Sequence, residues 1–326
     1  MTTAEILAAI PRYSALIVGD ICLDRRCVYD PATSEPSRET RIPRVGVVAT
    51  EVSPGAGGTV ANNLVSLGMS HVAVLGAIGE DGYAWELTRA MNASSISTDL
   101  LIRSSEMPTF TYTKLVNAST GVEDLPRVDQ IFNRPLPGAV EKTVLSHLES
   151  YASSFDVLFV SDQAETKRGG VVTGPVRESL RKIAAENPSK LIWVDSRLRV
   201  ERFRGVTIKP NEQEADMACI ALFGKVNYQR LRAHTESRLM FVTKGQQGVL
   251  VVDENTETLV PTRAVEKPVD ICGAGDSFSA GAAVALAITG SATDAARIGN
   301  LVASITIMKH GTGTASAAEV LAASGE

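Results

Sequence analysis

No apolar run in this chain approaches the ~20 residues that a membrane-spanning helix needs, so a spanning protein is not expected. Residues 1–14 hold only a short apolar patch at Ile6–Ile10 and no cleavage pattern behind a positively charged start, so no signal peptide is expected. Charge disfavours a nucleic-acid or anionic-membrane surface: 32 Lys+Arg stand against 37 Asp+Glu, a net charge of −5. Cysteine is scarce. Cys22, Cys27, Cys219 and Cys272 have no metal-type spacing, and free thiols in a cytoplasmic protein are the expectation. His71, His147, His234 and His310 are scattered, which argues against a histidine metal centre or a Ser-His-Asp triad. Two nucleotide signatures are also missing. Dinucleotide-dependent dehydrogenases place Gly-x-Gly-x-x-Gly directly after the first strand, where this chain reads Gly19-Asp-Ile-Cys-Leu-Asp24. The Gly-x-x-x-x-Gly-Lys-(Ser/Thr) loop occurs nowhere.

What remains is a chain with 44% apolar residues, ample for a core. Short runs rich in Val, Ile and Leu read as strands: Ala15–Gly19, His71–Ile78, Asp156–Ser161, Lys190–Asp195, Gly205–Lys209 and Leu239–Thr243. They lack in/out alternation, which suits strands covered on both faces. Helical patterns lie at Val60–Leu67, Tyr83–Met91, Pro175–Glu186, Glu212–Leu222, Tyr228–Ala233, Asp276–Ile288 and Thr293–Lys309. Alternating β and α implies an α/β fold, a doubly wound, mostly parallel sheet flanked by helices, in one domain over residues 1–326. Gln247–Asp253 and Glu257–Val260 read as a late antiparallel hairpin. Two stretches, about 25–53 and 109–132, break the rhythm with β-branched, Pro and polar residues. Loops this long are usually functional lids or disordered, and these two are expected to pair into a small β-sheet lid.

Five motifs carry chemistry. Gly273-Ala274-Gly275 precedes a helix, where tight turning and unpaired N–H groups make an anion site suited to phosphate. Asp276 at its mouth can accept the proton of an attacking hydroxyl; the bland reading is a helix cap. Asn211 and Glu214, three apart at a strand-to-helix junction, can hold a hydrated Mg²⁺ beside phosphate oxygens, or form a capping box. Thr243, Gly245 and Gly248 follow a strand and suit either nucleotide phosphate contacts or a hairpin turn. Gly55, Gly57 and Gly58 permit close approach to a hydroxylated ligand that Asn62 or Asn63 can read, or simply link the lid to a helix. Asp20 lies just past the end of the first strand, where open α/β sheets bind ligands. With Asp24 it can accept hydrogen bonds from sugar hydroxyls, or serve turn chemistry.

The order and spacing of these motifs resemble the ribokinase-like (PfkB) carbohydrate kinase family over about residues 14–315. That resemblance implies ATP-dependent phosphorylation of a sugar-like alcohol. Asp276 stands in for the family's catalytic base, and Gly273, Ala274 and Gly275 for its anion hole. Asn211 and Glu214 match the Mg²⁺ and phosphate motif, the metal being held through water; Thr243, Gly245 and Gly248 fall at nucleotide contacts, and Asn300 borders the adenine site. Asp270 and Gly311–Thr314 lie where some members hold a monovalent cation such as K⁺, and the lid makes the homodimer contact in several members. Heptose 7-phosphate kinases are similar in finer pattern: Gly19–Arg25, Arg127-Val-Asp129, Ser161-Asp162, Asp195-Ser-Arg197, Phe203-Arg-Gly205 and Lys309–Thr314 all resemble theirs. The substrate-side residues implied are Asp20, Asp24, Gly57, Gly58, Asn63, Lys114, Arg127 and Asp162, with Arg38 as a further cation for a phosphorylated acceptor. The chain departs from that pattern at Thr59, where an Asn is usual, and at Gln163–Arg168, where a glycine-lysine run is usual; no nucleotidyltransferase half follows Glu326. A catalytically silent sugar-binding protein on the same fold is the competing reading. A coupled screen of sugars, sugar phosphates and nucleosides separates the two.

Overall fold

Buried apolar runs form the centre of the molecule, a computed structural model that describes residues 1–166 and 168–326. Fourteen strands occur among the described residues. In chain order they are β1 (Ser14–Gly19), β2 (Ile21–Tyr29), β3 (Val47–Ala56), β4 (His71–Leu75), β5 (Ala77–Gly79), β6 (Ile102–Ser104), β7 (Thr111–Asn117), β8 (Val128–Gln130), β9 (Val157–Asp162), β10 (Leu191–Ser196), β11 (Thr207–Ile208), β12 (Met240–Thr243), β13 (Val249–Val252) and β14 (Glu257–Val260). The helices are α1 (Thr3–Ala9), α2 (Gly57–Ser66), α3 (Gly82–Ala93), α4 (Gly138–Tyr151), α5 (Gly174–Glu186), α6 (Glu212–Phe223), α7 (Tyr228–His234), α8 (Ala274–Thr289), α9 (Ala292–Thr306) and α10 (Ala317–Ser324). No helix among the described residues is long and apolar enough to cross a membrane.

Eight strands form one sheet in the order β14-β13-β12-β11-β10-β9-β1-β4. Pairing is parallel from β12 to β4, and the β12–β13–β14 edge is antiparallel, as the late hairpin predicted. Both faces are covered. Side chains alternate across a strand, so β9 and β10 send Val157, Phe159 and Trp193 into one apolar layer and Leu158, Val160, Ile192 and Val194 into the other. Trp193 meets Phe241 and Phe278 with ring centroids 4.9 and 6.4 Å apart, tying the sheet to α8. Burying side chains of this size contributes about 1.5–3 kcal/mol each.

The lid is a separate four-stranded sheet, β3-β2-β7-β8, built from both predicted insertions. It is larger than expected: β2 begins at Ile21 and β3 runs to Ala56. Gly19 makes the exit from β1 possible. Its φ is +131°, and a Cβ there would stand 2.2 Å from the Ser161 carbonyl oxygen. The expected strand His71–Ile78 is divided at Gly76, where a Cβ would lie 2.5 Å from the Gly19 carbonyl oxygen. Helix α4 was not anticipated, although Val140, Val144 and Leu148 are spaced for one buried face.

Candidate active site

Helix α8 starts at a left-handed residue, Gly273 (φ +74°), with no side chain capping it. The first helical hydrogen bond runs from Ser277 N–H to the Gly273 carbonyl, so the N–H groups of Gly275 and Asp276 precede the ladder at the positive end of the helix dipole. Ala274 N–H already donates to the Ile271 carbonyl at 3.2 Å. Beneath this turn lies the buried Lys209 at the end of β11, its Nζ 2.6 Å from Asp195 Oδ2 at the end of β10. A Cβ on Gly275 would stand 3.2 Å from that Nζ, so any side chain there would press the ammonium back by a few tenths of an ångström. Burial pushes the Asp276 carboxyl up to about 8, with the Asp195 carboxylate adding to the shift and Lys209 opposing it.

Asp276 opens into a cavity of about 530 Å³ between the body and one face of the lid. The face is made by alternation: Asp24 and Arg26 on β2, Glu51 and Ser53 on β3, and Tyr112 and Lys114 on β7 all line it. A Cβ on Gly55 would fall 2.5 Å from the Asp24 carboxylate and force it to shift. Burial raises Asp24 to about 6 against the pull of Lys114 and Arg127. Arg127 is held by Asp129 at 2.6 Å and lies 5.2 Å over the Tyr112 ring. Where β3 turns into α2, Ala56 takes φ +51°, a strained value for a residue with a Cβ, and it lines the same cavity.

A second, shallower recess is lined by Asn211, Asp216, Met217, Thr243, Lys244 and Gly245. Asn211 and Glu214 form a complete capping box, each N–H donating to the other's side chain at 2.8 Å. Only one Glu214 oxygen, Oε2, is taken up in this way. Both of these residues are hard oxygen donors, so a hydrated Mg²⁺ fits them through its waters. Asp270 bridges two loops by accepting from Cys272 N–H at 2.9 Å and from Gly311 N–H at 3.2 Å, which joins the two segments the resemblance assigned to a monovalent cation. Asn300 donates to the carbonyls of Val260 and Pro261.

A family model described as pfkB family carbohydrate kinase matches residues 26–319. The chain belongs to the pfkB family of carbohydrate kinases. It is 30% identical over 315 residues to the bifunctional protein HldE of Trichlorobacter lovleyi, covering 94% of this chain and 62% of the relative. It is similarly 30% identical over 332 residues to the HldE of Caulobacter vibrioides, covering 98% and 65%. The chain thus spans less than two thirds of the length of these curated relatives. Among solved structures it is similar to a ribokinase from Thermotoga maritima, with a TM-score of 0.71 at 21% identity, covering 96% of this chain and 100% of that one. It is also similar to the phosphofructokinase-2 of Escherichia coli in complex with potassium, with a TM-score of 0.69 at 15% identity, covering 96% and 98%. These show the ribokinase-like fold.

Of the residues expected on the substrate side of this pfkB kinase chain, Asp24, Lys114 and Arg127 line the main cavity. The others do not. Asp20 is buried, and it accepts from Gln163, Ala164 and Val171 N–H at 2.7–2.8 Å, so its carboxylate fastens the 163–171 loop rather than a sugar. Lys167 of that loop lies outside the described residues. Asp162 is likewise buried, accepting from Ser196 Oγ at 2.6 Å and facing Arg199 at 3.4 Å; burial and the nearby Asp20 carboxylate lift it to about 6. Asn63 is fully buried and joins three segments through Thr59, Ser277, Gly313 and Ala315. Gly57 packs on Ile17 and Ile21 and Gly58 on Pro54, so the close approach they permit is to the chain itself. Gly248 (φ +100°) sits where a Cβ would be 2.3 Å from the Val260 carbonyl oxygen, a hairpin position outside both recesses. Arg38 is exposed and lines neither recess.

Sequence reasoning left out Lys209, Asp195, Arg26, Ser53 and Tyr112 as site residues. Two signals could have found them. Asp195 and Lys209 end adjacent parallel strands on the edge where α/β sheets bind ligands. Arg26 and Tyr112 lie two residues from Asp24 and Lys114, on the same strand face.

Proposed function

We propose that this chain is an ATP-dependent sugar kinase whose acceptor already carries an anionic group, a heptose 7-phosphate being the acceptor class that fits best. One observation carries the reading: a half-buried carboxyl lining the cavity, Asp276, whose proton affinity is raised to about 8, stands in the uncapped first turn of α8 over a buried ammonium. A base near neutrality suits proton removal from an alcohol. The acceptor hydroxyl attacks Pγ, its proton passes to Asp276, the Pγ–O bond to ADP breaks, and ADP keeps the electron pair. Gly275 and Asp276 N–H groups and Lys209 offset the charge on the transferring oxygens. Asn211 and Glu214 would hold Mg²⁺ through water, and this ion would neutralise charge between phosphates when bound. Thr243 and Gly245 are assigned to the nucleotide phosphates, and Asn300 to fixing the 260–261 segment beside the base.

The anionic acceptor is supported by Arg26, Lys114 and Arg127 on the cavity's lid side. Asp270 with Gly311 is the position proposed for K⁺. A homodimer through the lid is supported by the edge strand β3, where Val47, Val48 and Val52 are exposed. A kinase using this acceptor with ATP works in the cytoplasm. The deciding experiment measures ADP release over free and phosphorylated pentoses, hexoses and heptoses, fructose phosphates and nucleosides. Turnover of a sugar phosphate in preference to its free sugar is expected. Absence of ADP release with every acceptor sinks the kinase reading.

A further inference from the structure

Arg197 leaves the end of β10 beside the anion hole without a firm partner. The β9–β10 ladder ends at the pair Ser196↔Asp162, and the turn that follows is tied back by Arg197 N–H, which donates to the Asp162 carbonyl at 2.9 Å. Arg197 lies two residues past Asp195, which grips Lys209 under Gly275. Arg197 lines the cavity that holds Gly273 and Asp276. Its side chain is 48% exposed, and among the described residues its ion-pair contact is Glu165 at 3.9 Å, beyond hydrogen-bond range. Asp276 and Glu214 share three charged neighbours: Asp195, Lys209 and Arg197. Arg197 thus lies within electrostatic reach of both the base and the phosphate-ordering carboxylate. Lys209 is buried and held by its ion pair, whereas Arg197 is half-exposed with a loose contact at 3.9 Å.

We infer that Arg197 is a catalytic arginine supplied by the chain itself, which leaves Glu165 and donates its paired N–H groups to the equatorial oxygens of the transferring phosphoryl group. The inference rests on the kinase reading of the same site. Arg197 takes no part in bond making: the Pγ–O bond to ADP breaks as the acceptor bond forms, and the proton goes to Asp276. The guanidinium offsets charge that grows on the phosphoryl oxygens, a task that a planar fork performs better than a point charge. Glu165 rides on the loop that Asp20 and Arg199 hold down, which sets a carboxylate 3.9 Å from the guanidinium.

The test uses ADP with Mg²⁺ and aluminium fluoride as a mimic of the transferring group. Calorimetry compares it with ADP alone in wild type, Arg197→Ala and Arg197→Lys. Arg197→Ala is expected to weaken the aluminium fluoride complex by about 10²-fold or more, with ADP affinity unchanged. In turnover, kcat should fall in parallel while the acceptor KM holds. Lys should recover part of the loss, as should added guanidinium ion with the Ala variant. An aluminium fluoride complex equally tight in wild type and Arg197→Ala overturns the inference. So does a loss confined to the acceptor KM, which would make Arg197 an acceptor-binding residue. If wild type neither forms the complex nor releases ADP with any acceptor, the kinase reading itself fails, a result distinct from either of these.

Discussion

The Lys209 ammonium sits 3.2 Å from the point where a side chain on Gly275 would begin. Its ion pair with Asp195 at 2.6 Å keeps the charge in place once water is excluded. The proposed anion hole therefore combines the backbone N–H groups and dipole of α8 with a buried cation from the end of β11.

Replacing Asp276 by Asn is expected to lower kcat by about 10²–10⁴ while leaving the chain folded. The same change should raise the melting temperature at neutral pH. The folded carboxyl is raised from its ordinary 3.8 to about 8. Between those values the native state holds a proton that the unfolded chain releases, so stability falls as pH rises through that window. Melting curves of both proteins at about pH 5 and about pH 8 check this: the wild type should lose more stability than the variant over that interval.

Activity should run the opposite way. The base acts only when deprotonated, so kcat/KM is expected to rise through a limb near pH 8 and to be lost as pH falls. A flat profile between about pH 6 and about pH 9 in a pre-steady-state measurement would remove Asp276 from this role.

Lys209→Met takes the cation from a buried pair and leaves Asp195 unmatched. A loss of about 3–5 kcal/mol in urea unfolding is expected. The pH limb of whatever activity remains should move upward, because Lys209 opposes the rise of Asp276.

Asp24→Asn and Asp20→Asn should part company. Asp24 faces the cavity, so its variant should lose acceptor affinity with little change in stability. Asp20 accepts three backbone N–H groups, and an amide offers one oxygen in place of two. Its variant should cost about 3 kcal/mol of stability through unsatisfied buried donors. Thermal melts and acceptor titrations on the two variants distinguish them.

Val48→Glu on the lid edge should dissociate the proposed lid-to-lid homodimer, as measured by light scattering on a sizing column. Val48 is 59% exposed on the outermost strand of the lid, and a charge there blocks edge-to-edge pairing. A variant as dimeric as the wild type, or a wild type that is monomeric, counts against the lid interface.

Much of the candidate site was legible because its signals are local. Gly273–Asp276 is a loop and a first helical turn in one stretch, and Asn211-x-x-Glu214 is a cap whose spacing shows in the residues. The lid was legible too, since β-branched stretches without helical period have few other uses. Asp20, Asn63 and Asp162 read as ligand residues because polar groups near strand ends often are. Apart from Thr59, four residues from Asn63, their partners lie 34 to 252 residues away, and no local pattern shows that a carboxylate or amide is already saturated by its own chain.

Taken alone, the order of residues determined the α/β alternation, the lid insertions and the glycine turn ahead of Asp276, because periodicity and backbone freedom are properties of neighbours in the chain. Tertiary structure decided which charges meet. Asp195, Lys209, Glu214 and Asp276 come from four segments, and only the parallel register of β10 and β11 beneath α8 brings them within each other's field. There, desolvation and the neighbouring Asp195 carboxylate make the same carboxyl that would be an ordinary acid on the surface hold its proton to about 8.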